Sequence, residues 1–268
     1  MPIPPTSDPH SARPARKRRE GLRAALVAAI LGASAAAGWW LGQPQSPLHA
    51  PGTRAESPGS KSARPTPHQP RFASYGTEHP SDGVRHVADW ALDSGDADGR
   101  SIVVVDKHEA RVWLFDPRGA LVAQTPALLG AAHGDDPVPG IGEKPLSEIL
   151  PEEKTTPAGR FVAEHGVNSH GEDIVWVSYD LAVSMHRVRP TVKAERRLER
   201  LASASADDNR ISFGCINLPV AFYEESLLPA VRSTGATIYV LPETRSPQQQ
   251  FGSYDVAARW RGTRTAPA

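Results

Sequence analysis

The chain has 268 residues, enough for one or two domains, and its 30 basic and 30 acidic side chains give a formal net charge of zero. This balance argues against a nucleic-acid-binding protein, because such proteins carry an excess of positive charge. The single cysteine, Cys215, has no internal partner for a disulfide.

Basic residues crowd into positions 1–23, directly ahead of an almost uninterrupted apolar run at 24–42. A helix needs about 20 apolar residues to span a bilayer, so the run predicts a transmembrane signal anchor. The positive-inside rule keeps residues 1–23 in the cytoplasm and exports the rest, which predicts a single-pass inner-membrane protein with its folded part in the periplasm. A cleaved signal peptide, followed by secretion, is the alternative.

Three further regions follow the apolar run. Residues 43–80 are rich in proline and poor in large apolar side chains, which predicts a flexible linker. We expect the folded domain over residues 81–245. Residues 246–268 are polar enough to predict a C-terminal tail that frays.

The folded domain is predicted to begin with a short helix capped by Ser81 or Asp82. The apolar face of this helix consists of Val84, Val87, Ala88, Ala91 and Leu92. The segments "SIVVVDK", "ARVWLFD" and "ALVAQTPAL" then read as three strands, with a turn at residues 116–119 between the second and third. This meander predicts a mainly β domain.

An irregular, acidic stretch at residues 131–159 is longer than ordinary connections and lacks the spacing of a calcium loop, so we expect a solvated lid over a groove. Strand character returns in "GRFVAEHG" and in "DIVWVSYDLAVSMHRV", the second as two segments that meet near Asp180. In "LAVSMH", alternation places His186 on the face opposite Val183 and Met185. A surface helix within 191–209, a helix from Val220 and a closing strand complete the predicted elements.

An unpaired cysteine in an exported domain needs an explanation, and nucleophilic chemistry is one. A thiolate forms most readily near an imidazole or a helix N-terminus, and Asn217 could cap a helix with Pro219 in its first turn. Gly214 permits close backbone approach, so the amides of Gly214 and Cys215 could donate to an oxyanion. A cysteine beside a glycine is by itself a weak signal and more typical of a buried core residue; export, the lack of a disulfide partner and His186 upstream favour the nucleophile.

His186, followed at a distance by "SFGCIN" at 212–217, resembles the signature of the L,D-transpeptidase catalytic domain, the YkuD-like family. "TTPAGRF" at 155–161 is similar to another element of that family, and "TPALLG" resembles the strand end before it. The resemblance implies an α+β, mainly β fold, a mixed-sheet sandwich with a few helices. It also implies that Cys215 is the nucleophile, that His186 is the base oriented by the carbonyl of Arg187, and that Ser212 supports the site.

The resemblance further implies acyl transfer on peptidoglycan stem peptides, in cell-wall cross-linking or remodelling, through a thioester on Cys215. With water as acceptor the same site would be an L,D-carboxypeptidase or endopeptidase. A non-catalytic wall-binding module of the same fold is the third alternative. Members of the family are acylated by carbapenems at the cysteine, which gives a means of separating these alternatives.

The chain departs from the family pattern in two respects. Phe213 replaces the second histidine of the signature, and about 20 residues, near 190–209, lengthen the spacer. Candidate substrate contacts are Phe213, Asn217 and Tyr179, although Tyr179 and Trp176 are also typical of rim and core residues.

No cofactor is expected. His165, His170 and His186 have the spacing of a turn and no completing cysteine or carboxylate, so a zinc site is disfavoured. The expected partners are peptidoglycan stem peptides and the inner membrane, without nucleic acid. We expect a monomer, although nothing in the sequence fixes the oligomeric state.

Overall fold

The computed structural model describes residues 69–265, with side chains to residue 262. The predicted cytoplasmic segment (1–23), the predicted membrane-spanning segment (24–42) and the predicted linker before residue 69 lie outside these residues. Within 69–265, every helix is too short or too polar to cross a membrane.

Eleven strands, six α-helices and several short helical turns make up the regular structure between residues 69 and 265. The strands are β1 (Ser101–Asp106), β2 (Arg111–Phe115), β3 (Leu121–Pro126), β4 (Leu129–Gly130), β5 (Gly159–Val162), β6 (Glu164–Val167), β7 (Asp173–Ser178), β8 (Val183–Arg187), β9 (Arg210–Ser212), β10 (Ile216–Leu218) and β11 (Ala236–Val240). The helices are α1 (Asp82–Ser94), α2 (Arg197–Ala202), α3 (Val220–Phe222), α4 (Leu228–Thr234), α5 (Pro247–Phe251) and α6 (Val256–Thr265). A π-helical turn, Tyr223–Leu227, joins α3 to α4, and 3-10 turns lie at Ile141–Glu143, Leu146–Glu148, Pro151–Glu153, Lys193–Glu195 and Ala206–Asn209.

Helix α1 forms as its sequence predicts. The Ser81 hydroxyl accepts a hydrogen bond from the Val84 amide at 3.3 Å, and Gly95 ends the helix in the left-handed conformation. All five predicted apolar positions are buried. The cap and the apolar face are local features, and both predictions are confirmed.

The strands form mixed sheets. The order is β3-β2-β1-β11-β5 in a five-stranded sheet, β10-β8-β7-β6 in a four-stranded sheet, and β4-β9 in a two-stranded one. The pairs β1/β11, β8/β10 and β4/β9 are parallel, and the others are antiparallel. The prediction of an α+β domain with mixed sheets and a few helices is confirmed, whereas helices contribute nearly as many residues as strands, so the domain is not mainly β.

Two hydrophobic cores lie on opposite faces of the five-stranded sheet. Because side chains alternate along a strand, Val103 and Val105 of β1 pack into a core shared with the four-stranded sheet, whereas Ile102 and Val104 pack towards α1. The first core holds the hydrophobic side chains of β8 and β10, among them Met185 and Ile216. It therefore supports the back of the strands that carry the candidate site.

The segment before α1 is bound to the domain from residue 71 onwards, which corrects the predicted linker boundary at 80. The Ala73 amide donates to Asp89, Ser74 pairs with Ala120, and the Tyr75 ring meets Phe115 edge-on at 5.8 Å between centroids. One aromatic residue and a few backbone groups are enough to order this stretch, and composition alone does not detect them.

The C-terminal region also differs from the predicted polar tail. Ser246 begins α5 with a capping box, and Phe251 stacks on Trp90 at 6.3 Å between ring centroids. The Tyr254 hydroxyl donates to Asp93 at 2.8 Å, and Val256 is buried. Phe251 and Tyr254 thus attach the C-terminal segment to α1, although most of its other residues are polar.

Candidate active site

The parallel pairing of β8 with β10 brings the candidate residues together. Met185 pairs with Ile216, and His186 pairs with Asn217. Met185 and Ile216 point into the core, so alternation places Ser184, His186, Cys215 and Asn217 on the other face. Two segments about 30 residues apart in sequence thus meet as a single polar surface.

The Cys215 side chain is partly exposed at the edge of this surface. Its sulfur lies 3.7 Å from Ser184 Oγ and 3.6 Å from the carbonyl oxygen of Ala182. Ala182 has a positive φ of 52°, a conformation that costs energy for a residue with a Cβ and is often found beside functional sites. Within residues 69–265, the thiol has no hydrogen bond to His186.

The His186 imidazole is held at both nitrogens. Nδ1 lies 2.8 Å from the carbonyl oxygen of Arg187, and Nε2 lies 3.4 Å from Asn217 Nδ2. A carbonyl can only accept a hydrogen bond, so Nδ1 carries the proton and Nε2 of the neutral ring is the basic nitrogen. The Arg187 contact is the one that the resemblance implied, and its part in a reaction remains a prediction.

Burial also favours the neutral imidazole. It lowers the pKa of His186 below the ordinary value, the Arg187 carbonyl raises it in part, and the positive charges of Arg189 and Arg197 lower it again. A neutral imidazole with an available lone pair is the form that accepts a proton from a thiol.

The turn from Ser212 to Cys215 is fixed by its own hydrogen bonds. The Ser212 hydroxyl donates to the Cys215 carbonyl at 2.6 Å and accepts from the Gly214 amide at 3.1 Å. The Gly214 amide is therefore engaged, and the structure does not support it as an oxyanion donor. The Cys215 amide has no acceptor within the described part of the chain.

Gly214 is required by the close approach of a neighbouring segment. Its φ is +130°, and a Cβ added there would lie 2.8 Å from the carbonyl oxygen of Thr155. The motif "TTPAGRF" thus packs directly against the cysteine turn.

Thr156 connects that motif to the turn, a role that the sequence analysis missed. Its buried hydroxyl donates to the Gly214 carbonyl at 2.9 Å and accepts from the Gly130 amide at 2.8 Å. Thr156 lies inside the family-like motif, which indicated that it could matter for the site. The motif alone does not show that the Thr156 hydroxyl bonds to Gly214.

A buried ion cluster lies behind Thr156. Lys107, with 0% of its side chain exposed, donates to the Thr156 carbonyl at 3.1 Å and pairs with Asp135 at 3.0 Å and with Glu243 at 3.4 Å. Arg210 also pairs with Glu243. This cluster ties β1, the acidic loop and the chain after β11 to the segment that holds the cysteine turn.

The two carboxylates of the cluster are strongly stabilised as anions. Burial alone would raise the pKa of Asp135, but hydrogen bonds from Thr244, the Glu243 amide and Lys107 hold it well below its usual range. Burial likewise opposes ionisation of Glu243, yet the Gly134 amide, His133 and two cations lower its pKa to about 2. The prediction of a solvated lid is therefore wrong for Asp135, which is buried.

Asn217 does not cap a helix, which corrects the sequence prediction. Its backbone pairs with His186 of β8, so it belongs to β10, and an isolated bridge to Leu128 adds to this pairing. The next helix begins at Val220 with Pro219 as its N-cap residue. The side-chain oxygen of Asn217 accepts from Arg197 Nη1 at 2.5 Å. The thiol consequently precedes a strand, and the predicted effect of a helix N-terminus does not apply.

The aromatic candidates lie at the periphery. Phe213 is 40% exposed and carries Lys154 Nζ over its ring at 4.2 Å. Tyr179 is 73% exposed and meets Trp176 edge-on. Both residues flank the turns that hold Cys215 and Ala182.

Besides the contacts of Thr155 and Thr156 with the cysteine turn, the loop at 131–159 contacts the surroundings of the site at two further points. A Cβ on Gly142 would lie 2.1 Å from the carbonyl oxygen of Asp180, so the loop packs against the β7–β8 turn. Lys154 meets Phe213 on the other side, and Lys144 pairs with Glu153 at 2.6 Å across the loop. Whether this loop closes over a substrate stays a prediction.

A cavity of about 540 Å³ opens beside the imidazole. The imidazole of His186 lines this cavity together with four charged side chains. Two are basic and lie at or just after the end of β8, and two are acidic and lie at or just before the start of β7: Arg187, Arg189, Glu172 and Asp173. Arg189 pairs with Glu172, and Arg187 pairs with Asp173 and Glu224. The cavity presents charges of both signs next to the candidate base.

The remaining histidines of the disfavoured zinc site do not join His186. His165 Nε2 contacts Arg232, and His170 Nδ1 contacts Ser169. Among residues 69–265, no group of three or more histidine, cysteine or carboxylate side chains has the arrangement of a metal site.

No protein-family model matches the sequence, and a search of curated proteins finds no match. Solved structures similar to the chain include L,D-transpeptidases. The catalytic domain of the E. faecium L,D-transpeptidase, solved by NMR, is 19% identical over 53% of this chain and 98% of that one, with a TM-score of 0.31. The imipenem complex of the L,D-transpeptidase LdtMt1 is 18% identical over 53% of this chain and 58% of that one, with a TM-score of 0.32.

The helical cell shape determining protein Pgp2 from Campylobacter jejuni is 12% identical over 69% of this chain and 66% of that one, with a TM-score of 0.37. In an avibactam carbamoyl enzyme the alignment spans 49% of the solved chain. Every one of these TM-scores is below 0.5, and a likeness of this size carries no functional argument.

Proposed function

We propose that the protein is a cysteine-dependent acyltransferase that acts on peptidoglycan stem peptides, with Cys215 as nucleophile and His186 as base. The observation that carries the proposal is the shared face of β8 and β10, on which the thiol and a neutral imidazole lie with Nε2 as the basic nitrogen. The family-like motifs around the same residues supply the substrate class.

The reaction begins when His186 Nε2 takes the thiol proton. The Cys215 sulfur then attacks the carbonyl carbon of the stem-peptide amide, and the Cys215 amide is the backbone donor available to the resulting oxyanion. The C–N bond breaks, the imidazolium returns its proton to the leaving amine, and a thioester remains on Cys215. The amine of a second stem, or water, resolves the thioester.

The thiol must move for this reaction to start. Its sulfur contacts Ser184 and Ala182, and the imidazole contacts Asn217. Hydrogen bonds between catalytic groups are often long or absent without substrate and form when it binds. The proposal therefore requires a rotation of the Cys215 side chain towards Nε2 on substrate binding.

Incubation of the full chain with a disaccharide tetrapeptide tests the proposal. Cross-linked dimers would identify a transpeptidase, and trimmed monomers would identify a carboxypeptidase that uses water as acceptor. Both products should be absent with Cys215→Ala. A folded protein that binds the substrate but forms neither product would be a wall-binding module, and the proposed acyl transfer would be wrong.

A further inference from the structure

Arg197 reaches the candidate site from outside the motif-like segments. It belongs to α2, within the stretch at about 190–209 that lengthens the spacer between His186 and Cys215. Its guanidinium donates to Asn217 Oδ1 at 2.5 Å and to Glu195 at 2.6 Å, and its side chain is 15% exposed. The Arg197 side chain is thus held in a defined place, and Asn217 connects it to the His186 imidazole.

The hydrogen-bonding capacity of these groups fixes the orientation of the Asn217 amide. A guanidinium has donors only, so the side-chain oxygen of Asn217 must face Arg197. The amide nitrogen is then left to point at the Cys215 carbonyl, at 3.3 Å, and at His186 Nε2, at 3.4 Å. The Cys215 carbonyl only accepts and favours the same orientation, so the amide has two orienting contacts. Without Arg197 one of them is lost, and an amide flip, which would place the oxygen against Nε2 and favour a proton there, costs less.

The other end of the imidazole is fixed independently. Nδ1 faces the Arg187 carbonyl, which only accepts, so donors and acceptors alternate from Arg197 through Asn217 and His186 to the backbone. Every link in this series favours the same tautomer.

We propose that Arg197 is a positioning residue that sets the orientation of the Asn217 amide and thereby keeps His186 Nε2 unprotonated and ready to accept a proton. This inference rests on the proposed function, in which His186 is the base. The inserted helix α2 then contributes to the site, because it places the guanidinium of Arg197 against Asn217.

Several other charged groups face the imidazole and are kept constant in the test. They are Glu172, Asp173, Arg187 and Arg189 at the cavity, and the thiol of Cys215, just before β10, also stays in place. A change that removes Arg197 alone leaves all of them in place. Lys193→Met, at an exposed position in the turn just before α2, removes the same charge without contact to Asn217 and is the matched control.

The experiment measures the His186 tautomer by NMR in the full chain labelled with 15N at histidine, with His186→Gln to assign the signal. In the wild type and in Lys193→Met we expect the proton on Nδ1. In Arg197→Met we expect the Nε2-protonated form to appear. Arg197→Lys, which keeps a donor, should restore the wild-type tautomer.

Asn217→Asp provides a second route if Arg197→Met does not fold. The aspartate offers only acceptors, so Nε2 should then hold a proton. A wild-type ring protonated on Nε2, or an unchanged tautomer in both Arg197→Met and Asn217→Asp, would overturn the inference.

Acylation by a carbapenem separates this inference from the proposed function. The rate should fall by about three- to tenfold in Arg197→Met, the loss expected for one net hydrogen bond. If the wild type is not acylated while the tautomer changes as described, the proposed function fails and the positioning role stands. If the wild type is acylated and the tautomer does not change in the variants, the proposed function stands and the positioning role of Arg197 fails.

Discussion

Ser184 lies directly beside Cys215 on the neighbouring strand, with its hydroxyl oxygen 3.7 Å from the sulfur. A buried hydroxyl therefore contacts the thiol, and His186 lies two residues further along β8, on the same face. This order follows from the parallel register of β8 and β10.

We expect Ser184→Ala to slow the alkylation of Cys215. A hydroxyl that donates to the thiolate favours the reactive anion, and its loss should lower the rate with iodoacetamide by about three- to tenfold. The rate can be followed by intact mass at fixed pH. Ser169→Ala, at an exposed position, should leave the rate unchanged. An equal or higher rate in Ser184→Ala would show that the hydroxyl does not stabilise the thiolate.

Gly214→Ala should destabilise the domain strongly. The residue has φ of +130°, and the added Cβ would lie 2.8 Å from the Thr155 carbonyl, so strain and overlap add to about 3–5 kcal/mol of unfolding free energy. Gly171→Ala has φ of +79° but no atom within 4 Å of the new Cβ, and should cost about 1–2 kcal/mol. Urea unfolding of both variants measures the difference. Equal losses would mean that the Thr155 contact is unimportant.

Thr156→Val should cost about 2–4 kcal/mol of unfolding free energy, because it leaves the Gly214 carbonyl and the Gly130 amide without their buried partner. Thr156→Ser keeps the hydroxyl and should cost about 1 kcal/mol, the value of the lost methyl group. Chemical denaturation compares the two. A serine variant as unstable as the valine variant would indicate that packing of the methyl group, and not the hydrogen bonds, holds the turn.

His186 should make the domain sensitive to mild acid. Its pKa is lowered in the folded state, so the unfolded chain takes up the proton first as the pH falls below about 6.5, and stability is lost until the folded pKa is reached. His186→Gln should therefore lose less unfolding free energy than the wild type between pH of about 7.5 and pH of about 5. His79→Gln, at an exposed position, should match the wild type. An identical pH dependence in His186→Gln and wild type would contradict the shift.

Features determined by local sequence could be predicted. The cap at Ser81, the turn at 116–119 and the division of "DIVWVSYDLAVSMHRV" into β7 and β8 each depend on neighbouring residues and appear in the structure. Alternation along β8 also predicted that His186 would lie opposite Val183 and Met185.

Features determined by distant contacts could not be predicted. Asn217 is a residue type that often caps helices, but its pairing with His186, 31 residues away in sequence, makes it part of a strand. Asp135 is acidic and lies in an irregular loop, yet Lys107 and the chain after β11 bury it. The same limit applies to Arg197, because only the fold of the inserted segment brings it to Asn217.

The central claim is that Cys215 acts as a nucleophile activated by His186, and intact-mass measurement after exposure of the full chain to a carbapenem tests it most directly. We predict a single adduct that maps to Cys215, absent in Cys215→Ser and formed at least about tenfold more slowly in His186→Gln. A folded wild type that keeps its mass, or an adduct that forms as fast without the imidazole, would contradict the account.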